Sequence, residues 1–233
     1  MKNSQDLSAI LGRHSHVFSP VIDADLNSDQ VCVLDFSGNN ELLQNTDLRD
    51  TATFNKAVQQ LLQQQNATIG VGGYFEDRSI YRRSTHFEGE AESRNLHLGV
   101  DVWLDDGVAV FTPIDAIVHS FQDNNNFGDY GPTIILQHEL EGITFYTLYG
   151  HLSRTSLEGL TVGKHFSKGQ KIAEVGPYPE NGDWPPHLHF QVMSSMGDKK
   201  GDFPGVAAQS DRSKYASLCP NPNLILQSRH LSF

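Results

Sequence analysis

From Asn95 onward the chain is written in short runs of β-branched and aromatic residues, each stopped within a few positions by Gly, Asp, Asn or Pro. That rhythm is the signature of an antiparallel all-β domain. Strands are expected at Leu96–Trp103, Ala109–Phe121, Thr133–His138, Thr144–Leu152, Lys171–Val175 and Leu188–Met193. The segment from Val162 to Gly176, with Gly163, Gly169 and Gly176 around Ile172 and Val175, resembles the turn-and-strand unit of a barrel-like sandwich. It is read as structural.

Ahead of this region the pattern differs. Phe54, Ala57, Val58, Leu61 and Leu62 recur at helical spacing between Thr51 and Gln65, with Asp50 or Thr51 available as the N-cap. Val31 to Phe36 reads as a short strand, and Gly70, Gly72 and Gly73 read as a turn leading into Arg78 and a polar loop. The expected organisation is a small α/β extension over residues 1–68, with one helix, followed by the all-β domain over 69–233.

Charge narrows the partners. A formal charge of -11 lacks the Lys/Arg clusters that replace counterions on nucleic acid or anionic membranes, so neither is an expected partner. Cys32 and Cys219 lie far apart with no second Cys or His at ligand spacing, which fits ordinary reduced thiols. The first ten residues are polar, without the apolar stretch of about 7–15 residues of a signal peptide. The expected location is therefore the cytoplasm, or outside the membrane had a leader been removed. Oligomeric state is not legible.

The histidines are arranged for a metal. His97 and Asp101 are four apart, an even separation that puts both on one face of a strand. Fully extended they would stand roughly 13 Å apart, so sharing an ion requires a bend, which Gly99 permits. His187 and His189 are two apart and again share a face, and Pro185 and Pro186 fix where their strand begins. Catalytic zinc takes three protein ligands and leaves a position for water. His97, Asp101 and one of the 187/189 pair would make that set, leaving the other beside His151 of Tyr149-Gly150-His151 as unligated histidines. Tyr149, two before His151, and Trp184, two before Pro186, are expected to line the cleft as substrate-binding residues. The Asn-rich loop Asp123–Tyr130 is a candidate wall, Asp105 and Asp106 a turn, and His119 and His138 solvated strand positions. Glu76 and His86 are candidates for a fourth ligand in a latent form.

The order His-x-x-x-Asp, then Tyr-Gly-His-Leu-Ser, then His-Leu-His-Phe, spread over about Asn95 to Met193, resembles the lysostaphin/LytM-type metalloendopeptidases. The resemblance implies a lysostaphin-type duplicated hybrid fold, Zn²⁺ held by His97, Asp101 and His189, and catalysis by His151 and His187. It implies hydrolysis of peptide bonds, in peptidoglycan fragments or short Gly/Ala-rich peptides. Residues 181–186, 201–206 and 218–223 are similar to a narrower group of cytoplasmic-looking modules joined to kinase-like phosphotransferase and class III aminotransferase domains. Two other classes stay open: a zinc-holding regulatory or scaffold module without turnover, and a histidine phosphocarrier on a similar barrel-sandwich fold.

Overall fold

The computed structural model describes residues 4–83, 92 and 94–232. Twelve strands run in chain order among them: β1 Val31–Val33, β2 Ile69–Gly72, β3 Leu96–His97, β4 Val100–Trp103, β5 Ala109–Phe111, β6 Ala116–Asn124, β7 Gly131–Leu140, β8 Ile143–Gly150, β9 His165–Phe166, β10 Lys171–Glu174, β11 His187–Met193 and β12 Val206–Ala207. The helices are α1 Ser4–Arg13, α2 Glu41–Gln44, α3 Thr51–Gln64, α4 Arg212–Leu218 and α5 Asn223–Leu226. The all-β core of antiparallel sheets is as the sequence pattern requires.

Eight strands form one sheet in the order β1-β2-β4-β11-β8-β7-β6-β9, and β5 with β10 and β3 with β12 make two small ribbons. Every pairing is antiparallel except β1 with β2. The extension therefore feeds the main sheet directly, through a parallel pair at its edge.

Several expected elements are divided. The stretch from Ala109 to Phe121 breaks between Phe111 and Ala116, where Pro113 has no N–H to give a ladder. Leu96–Trp103 breaks at Leu98 and Gly99, which sends β3 to a ribbon and β4 to the main sheet. The glycines at 70 and 72 do not make a turn. They lie in β2, between β1 and β4, because that strand runs against Leu34: a Cβ at Gly70 would stand 2.3 Å from Leu34 Cδ1, and one at Gly72 would stand 2.8 Å from Leu34 O. Helix α3 forms as its periodicity predicts, with Asp50 Oδ1 accepting the Thr53 N–H at 2.7 Å. Helices α1, α2, α4 and α5 stand beyond the single helix the sequence pattern predicts.

Strand parity positions the site. On β11, Leu188, Phe190 and Val192 enter the main core with Val100 and Val102 of β4, so His187, His189 and Gln191 face the other way together with Asp101 and Trp103. A second apolar cluster, including Phe36, Phe54, Ile80, Tyr81, Trp103, Trp184 and Val206, closes over that face. Helix α3 supplies Phe54, whose ring meets Trp103 and Trp184 at 6.1 and 6.2 Å. Cys32 and Cys219 are free and buried. Among the described residues no helix is long and apolar enough to cross a membrane.

Candidate metal and catalytic site

His97, Asp101 and His189 come from three strands and meet. The chain bends between β3 and β4 so that His97 Nε2 lies 3.3 Å from Asp101 Oδ1. Register places His189 opposite Asp101 across β11 and β4. His189 Nδ1 is then 3.0 Å from Asp101 Oδ1 and 3.0 Å from His97 Nε2. Gly99 makes this possible, because a Cβ there would stand 2.6 Å from His189 Cε1 and 2.8 Å from Phe190 O.

The tautomers are set from behind. His97 Nδ1 lies 3.1 Å from Gly73 O, which only accepts, so it carries the proton and Nε2 presents a lone pair. Gln191 donates its amide nitrogen to Pro204 O at 3.1 Å, which turns its Oε1 toward His189 Nε2 at 3.0 Å. That ring nitrogen is therefore the N–H, and Nδ1 presents a lone pair. Three acceptor atoms thus face one point with no proton between them. Tetrahedral zinc, with bonds of about 2.0–2.2 Å, spaces its ligand atoms about 3.3–3.5 Å apart. The donor set fits such an ion after a shift of a few tenths of an ångström. Burial, followed by the Arg78 charge, lowers the His97 pKa to about 3. Burial would raise the Asp101 carboxyl, but neighbouring His97 and the Arg78 guanidinium hold it well below the usual carboxylate range.

His151 and His187 stand beside the cluster and outside it, with ring centroids 4.1 Å apart. Their Nδ1 atoms lie 2.8 Å from the Asn181 and Pro185 carbonyls respectively, so each donates an N–H there and turns Nε2 away from it. Both rings line a cavity with Tyr81, Tyr130 and Trp184 that opens toward solvent. His187 stacks on Trp103 at 4.0 Å with an interplanar angle of 12°. Burial lowers the His187 pKa to about 4 and takes His151 well below its ordinary value, with His187 adding to the latter.

His151 sits in the left-handed region, at φ 61°. For a non-glycine residue this costs about 1–2 kcal/mol. Bonds from His151 N to Tyr130 O at 2.8 Å and from Gly176 N to His151 O at 2.9 Å hold it there.

This turn corrects the expectation for Tyr149. Strand alternation ends at Gly150, so a separation of two no longer means one face. Tyr149 is buried in the main core against Phe190, hydrogen-bonded to Thr147, and is absent from the cavity wall. Trp184 does line the cavity, with its indole N–H bonded to Asp129 O at 3.0 Å. The Asn-rich loop contributes Gly128, Asp129 and Tyr130 to the wall.

Glu76 is not a fourth ligand: its oxygens accept from Phe36 N at 2.9 Å and Arg78 Nε at 2.7 Å. His86 lies outside the described residues. His138 is buried, not solvated, between Asp115 O at 3.1 Å and Thr147 Oγ1 at 2.7 Å, while His119 is half-buried beside Ser120. Asp105 and Asp106 are exposed beside a turn. Arg78 and Tyr130 were not singled out as site residues from the sequence, since each reaches the site by a contact distant in sequence and carries no motif.

A buried His-Asp-His cluster flanked by two anchored histidines on an antiparallel β-core defines a candidate metal centre. Residues 95–201, which hold all five positions, match the family model "Peptidase family M23". No curated protein matches the chain. Among solved structures, the chain is similar to a zinc-containing peptidase from Vibrio cholerae, at 26% identity over 42% of this chain and 27% of that one, TM-score 0.33. It is also similar to the catalytic domain of the antimicrobial peptidase lysostaphin from Staphylococcus simulans, at 26% identity over 52% and 80%, TM-score 0.36. A third likeness is to LytU, at 22% identity over 64% and 90%, TM-score 0.38. The chain spans well under two thirds of the Vibrio cholerae protein's length.

Proposed function

We propose that this protein is a zinc-dependent endopeptidase, with His97, Asp101 and His189 as ligands and His151 and His187 as the proton-moving residues. The observation that carries the reading is the convergence of three lone-pair atoms within 3.3 Å in a buried site, a geometry that calls for a cation. Zinc, when bound, supplies Lewis acidity toward the scissile carbonyl and toward water.

The chain's own residues supply the rest. Backbone carbonyls accept hydrogen bonds from the Nδ1–H groups of His151 and His187, so the basic nitrogen of each is Nε2. Both rings are neutral at pH 7, the form that can accept a proton from water, while burial weakens each as a base. The ring that accepts the proton becomes the one imidazolium of the pair, its Nε2–H stabilises the developing negative charge, and the same proton then passes to the departing amine. Trp103, stacked on His187, fixes the plane of that ring. Peptides, including peptidoglycan fragments, are the proposed substrates, with Trp184 and Tyr130 as walls. The similarity at residues 181–186, 201–206 and 218–223 supports a narrower reading, a module working beside phosphotransferase and aminotransferase domains.

A second reading is a zinc-holding module without turnover, because a complete His-Asp-His ligand set holds an ion whether or not a peptide is cleaved beside it. The ligand carboxylate Asp101 weighs against a phosphocarrier, which needs a nucleophilic histidine and no such set. Hydrolysis of peptidoglycan fragments and oligoglycine or oligoalanine peptides by the zinc-loaded chain decides between these readings. Cleavage lost in both His187→Ala and His151→Ala, with zinc retained in each, is the expected result. Zinc binding without cleavage of any of them would favour the second reading.

A further inference from the structure

The side chain that grips the second oxygen of Asp101 comes from outside the matched stretch. Arg78 Nη1 hydrogen-bonds Asp101 Oδ2, while its Nε donates to Glu76 Oε2 at 2.7 Å. The other Glu76 oxygen accepts Phe36 N at 2.9 Å, and the Glu76 backbone carbonyl accepts His97 N at 2.9 Å. One short segment, Gly73 to Arg78, therefore holds two members of the cluster: His97 by its backbone and its ring, Asp101 by its carboxylate. The guanidinium is 1% exposed and lies over the Phe36 ring, 5.2 Å from its centroid. Among the described residues its Nη2 has no hydrogen-bond partner, while Nη1 also reaches Tyr81 OH at 3.4 Å. The shortest bonds of the guanidinium go to Asp101 and Glu76.

We propose that Glu76 and Arg78 are positioning residues that act as a charge-balanced clamp, making Asp101 a one-oxygen metal ligand. The inference rests on the zinc reading above. A carboxylate with both oxygens free swings, or chelates through both. With Oδ2 held by Arg78, only Oδ1 is offered to the ion, and Oδ1 is the atom that meets both histidines. A lone guanidinium so close to a divalent cation would repel it strongly in a buried, low-dielectric setting. Glu76 cancels that charge, so Asp101 keeps its own for the metal.

The test compares zinc affinity, by competition with a chromophoric chelator, in the full chain, in Glu76→Gln and in the double variant Arg78→Met/Glu76→Gln. The double variant has the same net charge as the parent and so isolates orientation. Losing outer-sphere support of this kind lowers metal affinity about 10–100-fold. That loss is expected in the double variant, together with an altered visible spectrum of the Co²⁺-loaded protein as Asp101 changes its mode. Glu76→Gln, nearly isosteric, is expected to lose at least about tenfold through the uncompensated guanidinium. It carries the test alone should the double variant fail to fold. A wild-type chain that binds zinc, with variants within twofold of it and an unchanged Co²⁺ spectrum, overturns the clamp. A wild-type chain that takes up no zinc overturns the zinc reading and the clamp together.

Discussion

Gly99→Ala is a one-carbon perturbation aimed at the centre of the site. The added Cβ would stand 2.6 Å from His189 Cε1 and 2.7 Å from its Nε2, where ordinary contact begins at 3.4 Å. It would also stand 2.8 Å from Phe190 O, and that oxygen belongs to β11, held between β4 and β8. The backbone cannot easily give, so the imidazole must retreat by about 0.8 Å. Metal–ligand bonds tolerate about 0.2 Å. His189 is then lost as a ligand, and zinc affinity is expected to fall at least about 100-fold. Overpacking costs about 1–3 kcal/mol of stability as well. Zinc competition against a chelator, alongside thermal unfolding of the metal-free protein, measures both. Gly38→Ala is the control, since a Cβ there meets nothing within 4 Å. Zinc affinity and stability in Gly99→Ala equal to those of the control would refute the claim that this glycine exists to admit the His189 ring.

Two further outcomes concern residues away from the ion. Burial lowers the His138 pKa from 6.5 to about 4, so the unfolded chain binds a proton that the folded chain refuses between those values. Stability from this group is complete above pH 6.5 and is lost as pH falls toward 4, a loss of about 3 kcal/mol in order of magnitude. Denaturant unfolding across pH 4–7 should show a steeper decline in the parent than in His138→Gln, and parallel curves would contradict it. Tyr149→Phe removes one hydroxyl bonded to Thr147 in the core, so a stability cost of about 1 kcal/mol with unchanged zinc affinity and cleavage is expected. A specific rise in KM would return Tyr149 to the substrate site.

What the sequence made legible was local. The parity of His187 and His189 and the bend required at Gly99 are properties of a few consecutive residues, and both are found in the structure. So is α3, whose apolar stripe and cap lie within one short segment. Tyr149 was misplaced because its reading assumed alternation through His151, and a left-handed residue cannot be seen in residue types alone. The glycines of β2 have the look of a turn in sequence, because the reason for them is Leu34, more than thirty positions away. Arg78, Glu76 and Gly73 serve the ligands through long-range contacts, and nothing in their spacing announces it.

The peptidase chemistry depends on whether His97, Asp101 and His189 bind an ion. Metal content per chain by elemental analysis, in the parent and in His189→Ala, asks that directly. About one zinc per chain in the parent, absent from the variant, is the predicted result. A parent protein that holds no first-row metal even after reconstitution would contradict it.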